Sequence, residues 1–152
     1  MSSDNRELYC ILLPIGNDKL LLPRSIVEEV RGLAEPLPIP GAPPWLMGRV
    51  RWRGGNIPLV AIEPLLGGAI PSTSRRARMI VLRTPEGVLE PAVMAVLSQG
   101  FPYILRVTPE LLQGSDVPES EVLLARIHLG LEVPVVPDLP ALAEQAAHLL
   151  AA

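Results

Sequence analysis

Proline and glycine set the limits on this fold. Eighteen prolines and twelve glycines are spread over 152 residues, so few windows can hold an uninterrupted helix, because proline removes an N–H and clashes with the preceding turn. Short strands and turns are what remains. Hydrophobic residues reach 49% and aromatics only 3%, so the core must be built from Leu, Val, Ile and Ala. The length suits one domain, or two small lobes sharing a core. No apolar run approaches the ~18 residues of a membrane span. Residues 1–7 are polar and lack the basic-then-apolar order of a signal peptide, which predicts a cytoplasmic protein. Cys10 is the single cysteine, which excludes an internal disulfide, and its apolar neighbours predict a buried thiol.

Residues 48–60, Gly-Arg-Val-Arg-Trp-Arg-Gly-Gly-Asn-Ile-Pro-Leu-Val, read as two strands around a glycine turn expected at Gly54-Gly55. Period-two alternation turns Val50 and Trp52 inward and Arg49, Arg51 and Arg53 outward. Such a turn sets Arg51 opposite Pro58, which has no N–H, so an irregular hairpin or an edge is expected there. Three arginines on one exposed face form either a docking surface or a solvated basic face, and the residues alone support both. The net charge of -3 and pI of about 5.4 argue against a whole-domain nucleic-acid binder.

Either side of this hairpin the chain keeps the same style. Residues 9–15 and 19–22 form a first hairpin through Gly16-Asn17-Asp18. Residues 26–31 continue as a strand whose alternation leaves one of Glu28 and Glu29 awkwardly placed and in need of a cation. Five prolines between residues 33 and 44 make an extended wrapping loop. Residues 63–67 form one helical turn closed by glycine, and residues 68–78 a mobile connection. Within it, Arg75, Arg76 and Arg78 either contact phosphate or acidic surface or form a solvated loop end. Residues 79–82 and 88–97 pair through Pro85-Glu86-Gly87, with strands at 104–107 and 122–128. Residues 130–142 echo residues 54–66: a glycine turn, an apolar strand with one proline, then an acidic residue that starts a helical turn. An internal duplication of small β units explains this. Only the C-terminus is helical, with Asp138 as N-cap and Leu139, Leu142, Ala143, Ala146, Leu149 and Leu150 on one face, which packs on its own domain or on a partner.

Motifs of catalysis are missing. There is no Gly-x-Ser-x-Gly elbow, phosphate-binding glycine loop, His-Glu-x-x-His or cysteine pair. His128 and His148 are the only histidines, with no acidic ligand cluster near either in the sequence, so neither a metal nor a cofactor is expected. Asp116, Glu119 and Glu121 fall in a Ser/Pro-rich loop, where solvated charge is expected. These features favour a binding module over a catalyst.

The order of motifs resembles the CheW-like coupling-protein family of bacterial chemosensory systems. The resemblance spans about residues 8–142 and is carried by Leu22-Pro23, Ile26-Val-Glu-Glu-Val30, Pro38-Ile-Pro-Gly-Ala-Pro43, Gly48-Arg-Val-Arg-Trp-Arg-Gly54 and Pro58-Leu-Val60. In the second half it is carried by Arg78-Met-Ile-Val-Leu-Arg83, Ala95-Val-Leu-Ser-Gln-Gly100 and Val133-Pro-Val-Val-Pro-Asp-Leu139. It implies a mainly β fold of two intertwined five-stranded SH3-like barrels with a C-terminal helix, residues 1–152 being one domain of two barrel subdomains. It implies no enzyme activity. The partners it implies are the cytoplasmic tip of a chemoreceptor, a methyl-accepting chemotaxis protein, and the regulatory domain of a chemotaxis histidine kinase, with no nucleic acid and no membrane insertion.

Arg53 and Gly54 match the last two positions of the family's Asn-Leu-Arg-Gly motif, whose arginine is associated with receptor binding, and Glu29 matches its upstream glutamate. Arg49, Arg51 and Asn56 are candidate residues of a partner surface, with the partner left open. Arg51 and Trp52 replace the usual Asn-Leu, Ala61-Ile62-Glu63 stands where Asp-Leu-Arg is frequent, and Gln99-Gly100 replaces a usual Asp, which points to a divergent member with its own partners. Ser98-Gln-Gly-Phe-Pro102 and Val136-Pro-Asp-Leu139 are similar to coupling proteins of type IV pilus systems, which drive twitching motility. Two further readings compete: an SH3-like β-barrel nucleic-acid-binding module using Arg49, Arg51, Arg53, Arg75, Arg76 and Arg78, and a small hydrolase. The acidic balance and scarce aromatics oppose the former.

Overall fold

The chain begins one sheet, builds a second, and returns to finish the first. The computed structural model describes residues 8–69, 72–117 and 120–151; the polar segment 1–7 and Glu119 lie outside these. Strands β1 (Leu8–Ile15) and β2 (Asp18–Pro23) form a hairpin turned by Gly16-Asn17. The second sheet holds β3 (Val27–Gly32), β4 (Leu46–Trp52), β5 (Gly55–Val60), β6 (Arg78–Arg83) and β7 (Val93–Ser98), in the order β3-β6-β7-β5-β4. The first sheet is completed by β8 (Tyr103–Val107), β9 (Leu112–Asp116), β10 (Leu123–Leu129) and β11 (Val135–Pro137), in the order β8-β1-β2-β11-β10-β9. Helix α1 (Leu139–Ala151) ends the described chain. The architecture is that of two intertwined SH3-like barrels; β9 gives the first sheet six strands, one more than expected. No helix among the described residues is long and apolar enough to cross a membrane.

Three buried clusters fill this frame. Cys10, Leu12 and Leu129 pack on one side of the first sheet, and Val50, Ile57, Met79 and Leu97 on one side of the second. Between the sheets lies a shared cluster that joins Leu13 and Leu20 to Ile80 and Val96 and is covered by Leu142 and Ala146 of α1. The helix therefore packs on its own domain, and Asp138 caps it by accepting the Ala141 N–H at 3.1 Å. Burial pushes the Cys10 thiol pKa up.

Hairpins β4–β5 and β10–β11 occupy equivalent places. Each sends its second strand into a parallel pairing, β5 with β7 and β11 with β2, and each is followed by a helical segment: the 3-10 turn Glu63–Leu66 closed by Gly67, or α1. The β2–β11 junction has one paired position, Val135↔Leu20, and side chains reinforce it. Arg126 grips Asp18 through two N–H···O bonds of 2.9 and 3.1 Å. Lys19 Nζ lies 2.7 Å from Glu132 Oε2, which also accepts the Tyr103 hydroxyl at 3.1 Å.

Some elements fall where the sequence did not put them. The turn expected at residues 85–87 is a connection over residues 84–92, because Leu89 leaves the strand path to plug the shared core. Asp116 belongs to β9, where it sits 2.9 Å from His128 Nε2. Glu28 is the extra residue of a β-bulge between β3 and β6 and lies 4.0 Å from Arg83.

Two predictions arise here. A Cβ at Gly48, where φ is 145°, would stand 2.3 Å from the carbonyl oxygen of Leu37, whose backbone bridges to Arg49. Gly48→Ala should therefore cost about 2 kcal/mol or more in urea unfolding; an unchanged midpoint would contradict this close crossing. The second concerns pH. Hydrogen bonding to Lys19 holds the Glu132 pKa below its ordinary 4.5, and Glu132, with Tyr103, holds Lys19 above 10.5. A lowered carboxyl pKa gives stability that is present above 4.5 and is lost as pH falls through the folded value; a raised ammonium pKa gives stability that is present below 10.5 and is lost as pH rises through it. The Tm difference between wild type and Glu132→Gln should thus be small but present near neutral pH, shrink at high salt, and vanish under acid; a difference that persists in acid would mean the pair is not its source.

Candidate partner interface at the open ends of the second sheet

Strands β3 and β4 are the two edges of the five-stranded sheet, and side chains bring those edges together. Trp52, at the end of β4, buries its ring with Val50 and Ile57 and is 7% exposed, as its alternation required. Its indole N–H reaches out of the core and donates to Glu29 Oε1 on β3 at 3.0 Å. The other carboxylate oxygen of Glu29 lies 3.3 Å from Arg31 Nε. Arg53 Nη2 stands 3.7 Å from Oε1, and its guanidinium lies over the Trp52 ring, 4.4 Å from the centroid. Arg53 and Glu29 therefore meet, but stacking on Trp52 draws the guanidinium away from a two-bond grip on the carboxylate.

The turn is not at Gly54-Gly55. Trp52 pairs with Gly55, Arg51 with Asn56 and Arg49 with Pro58, so the two turn residues are Arg53 and Gly54, with φ of 47° and 77°. Positive φ at both is the signature of a type I′ turn, whose twist matches that of the strands. Arg53 accepts a conformation that disfavours a Cβ, and its side chain leaves the strand's alternation to fold over Trp52. Pro58 faces Arg49, not Arg51, on the edge strand β4.

The six expected site residues thus divide. Glu29, Arg53 and Gly54 gather at the end of the sheet around Trp52. Arg49 and Arg51 alternate to the other face of β4, and Arg49 and Asn56 line a shallow pocket of about 330 Å³ with Leu89, Glu90 and Leu150. Arg78 turns back to the carbonyls of Arg75 and Ala77 and stacks 4.1 Å from the Phe101 centroid, which leaves a basic run of residues 75–78 less free than its sequence suggests. Arg31 was missed. It lies two residues beyond Glu29 on the same strand, so alternation alone places it on the same face. Among the described residues no three His, Cys, Asp or Glu side chains cluster as metal ligands.

A family pattern described as the CheW-like domain matches residues 10–147. Among solved structures, the chain is similar to the scaffolding protein TtCheW from Thermoanaerobacter tengcongensis, with a TM-score of 0.68 at 12% sequence identity, over 86% of this chain and 88% of that one. At that identity the likeness establishes the shared fold. No curated protein matches the sequence.

The Trp52–Glu29 contact can be weighed by mutation. Trp52→Ala should destabilise by about 3–5 kcal/mol, as large-to-small core changes do. Trp52→Phe keeps a ring in the core but strips Glu29 of its donor, and should cost about 1–3 kcal/mol. A Trp52→Phe variant as stable as wild type in denaturant unfolding would show that the N–H contributes nothing beyond packing.

Proposed function

Since this chain belongs to the CheW-like domain family, we propose that it is a non-catalytic adaptor that couples a chemoreceptor to a chemotaxis-type histidine kinase in the bacterial cytoplasm. What carries this reading is the cluster at the end of the second sheet. Glu29 is held by Trp52 and Arg31, so the carboxylate has a fixed position, while Arg53 remains 62% exposed beside it. A fixed acid flanked by two guanidiniums is a surface suited to recognising polar groups along a receptor helix. The kinase regulatory domain would take a different face, with Arg49, Arg51 and Asn56 as candidate contacts. Weak contacts of this kind suffice in an array, where linked sites raise effective concentration. The wording of residues 98–102 and 136–139 directs the assignment to a type IV pilus system, with twitching as the output.

The positive φ of Arg53 decides which variant tests the idea. Alanine is no better suited to that backbone than arginine, whereas asparagine before glycine is the favoured pair for a type I′ turn. Arg53→Asn should therefore keep the folding free energy within about 0.5 kcal/mol of wild type. It should weaken binding of a receptor cytoplasmic-tip fragment about tenfold, or about 1.4 kcal/mol, and leave kinase binding unchanged. Calorimetry at physiological salt that found equal receptor affinity for the two proteins would remove Arg53 from the receptor site.

A further inference from the structure

A groove runs beside α1, away from the cluster just described. Helix α1 lines it with Ala141, Glu144, Gln145, His148 and Leu149, and the opposite wall is Pro43, Trp45 and Glu121; its volume is about 570 Å³. None of Glu29, Arg31, Trp52 or Arg53 takes part. The helix positions recur at intervals of three and four, so they form one continuous strip about 12 Å long. Such a strip, faced by a rigid proline and a tryptophan, has the shape that a second helix fills when ridges pack into grooves at about 8–10 Å. Trp45 is held in the shared core and is 8% exposed, a fixed apolar floor of the kind that anchors interfaces.

Charge identifies the occupant. Glu121 and Glu144 are exposed at the rim and have no ion-pair partner among the described residues, and no lysine or arginine lines the groove. An apolar floor with two unpaired carboxylates above it complements a helix that carries apolar residues on one face and lysine or arginine beside them. We propose that this groove docks a basic amphipathic helix of a partner protein. The surface is separate from the receptor site proposed above and stands whether or not that assignment does.

Three synthetic peptides without aromatic residues test this by calorimetry against the full chain: a helix with leucine on one face and lysine on its flanks, the same helix with glutamate for lysine, and a scramble of the lysine peptide. The lysine helix should bind, with affinity that falls as salt is added, and the double variant Glu121→Gln/Glu144→Gln, which alters exposed side chains only, should weaken it at least tenfold at unchanged Tm. Ala141→Arg, which obstructs the strip, should also weaken binding at least tenfold. Equal binding of the glutamate helix or of the scramble, or undiminished binding by the double variant, would overturn the proposal. A dimer in sedimentation that Glu144→Lys dissociates would make a second copy of the chain the occupant, and would overturn it equally.

Discussion

One hydrogen bond spans the gap that the backbone leaves open in the second sheet. Strands β3 and β4 are its edges, and the pairing order places three strands between them. The Trp52 indole closes the interval from inside, its ring packed in the barrel core and its N–H at Glu29. A buried N–H without a partner is costly, and so is a carboxylate drawn toward an apolar interior. Each group satisfies the other. Arg31 and Arg53 then compensate the carboxylate charge from the solvent side, so an edge that could otherwise recruit a foreign strand is sealed by side chains.

The rest of the structure is aliphatic packing arranged around two such barrels. With few aromatics available, the interior uses Leu, Ile, Val and Met at positions contributed by both sheets, and α1 seals the cluster between them. Neither sheet could shed the other without exposing that cluster to water, at roughly 25 cal/mol for each Å² of apolar surface. The two barrels therefore act as one body, and surfaces on either one keep fixed relative positions.

Much of this was legible from residue order, and the exceptions have definite causes. Alternation fixed the faces of Val50, Trp52, Arg49 and Arg51, yet it was blind to the turn. Turns at Gly54-Gly55 and at Arg53-Gly54 leave the same residues inward, because the two registers differ by two and the side-chain period is two. The observed register sets Gly55 against Trp52 and gives the two positive φ angles to Arg53 and Gly54, and a pattern of polar and apolar letters does not encode which of two adjacent pairs takes the turn. Strand β9, Leu-Gln-Gly-Ser-Asp, is exposed at every position and carries no hydrophobic signal; backbone pairing with β10 and the Asp116–His128 contact define it. Val88 and Leu89 read as strand because they are apolar, although a buried residue in a connection is apolar for the same reason. The Glu29–Arg53 meeting came from family resemblance, and only coordinates could reveal that Trp52 stands between them as donor and stacking platform.

The path of the chain through the two sheets has a consequence for biosynthesis. All strands of the second sheet lie in one continuous stretch from β3 to β7, whereas the centre of the first sheet pairs β2 with β11. On a ribosome, which releases a chain from its N-terminus onward, the second barrel can assemble while β1 and β2 wait without their neighbour. The hairpin made before the second sheet is thus among the last of these elements to find its place, and its apolar strands must be kept from other nascent chains until β11 has been made.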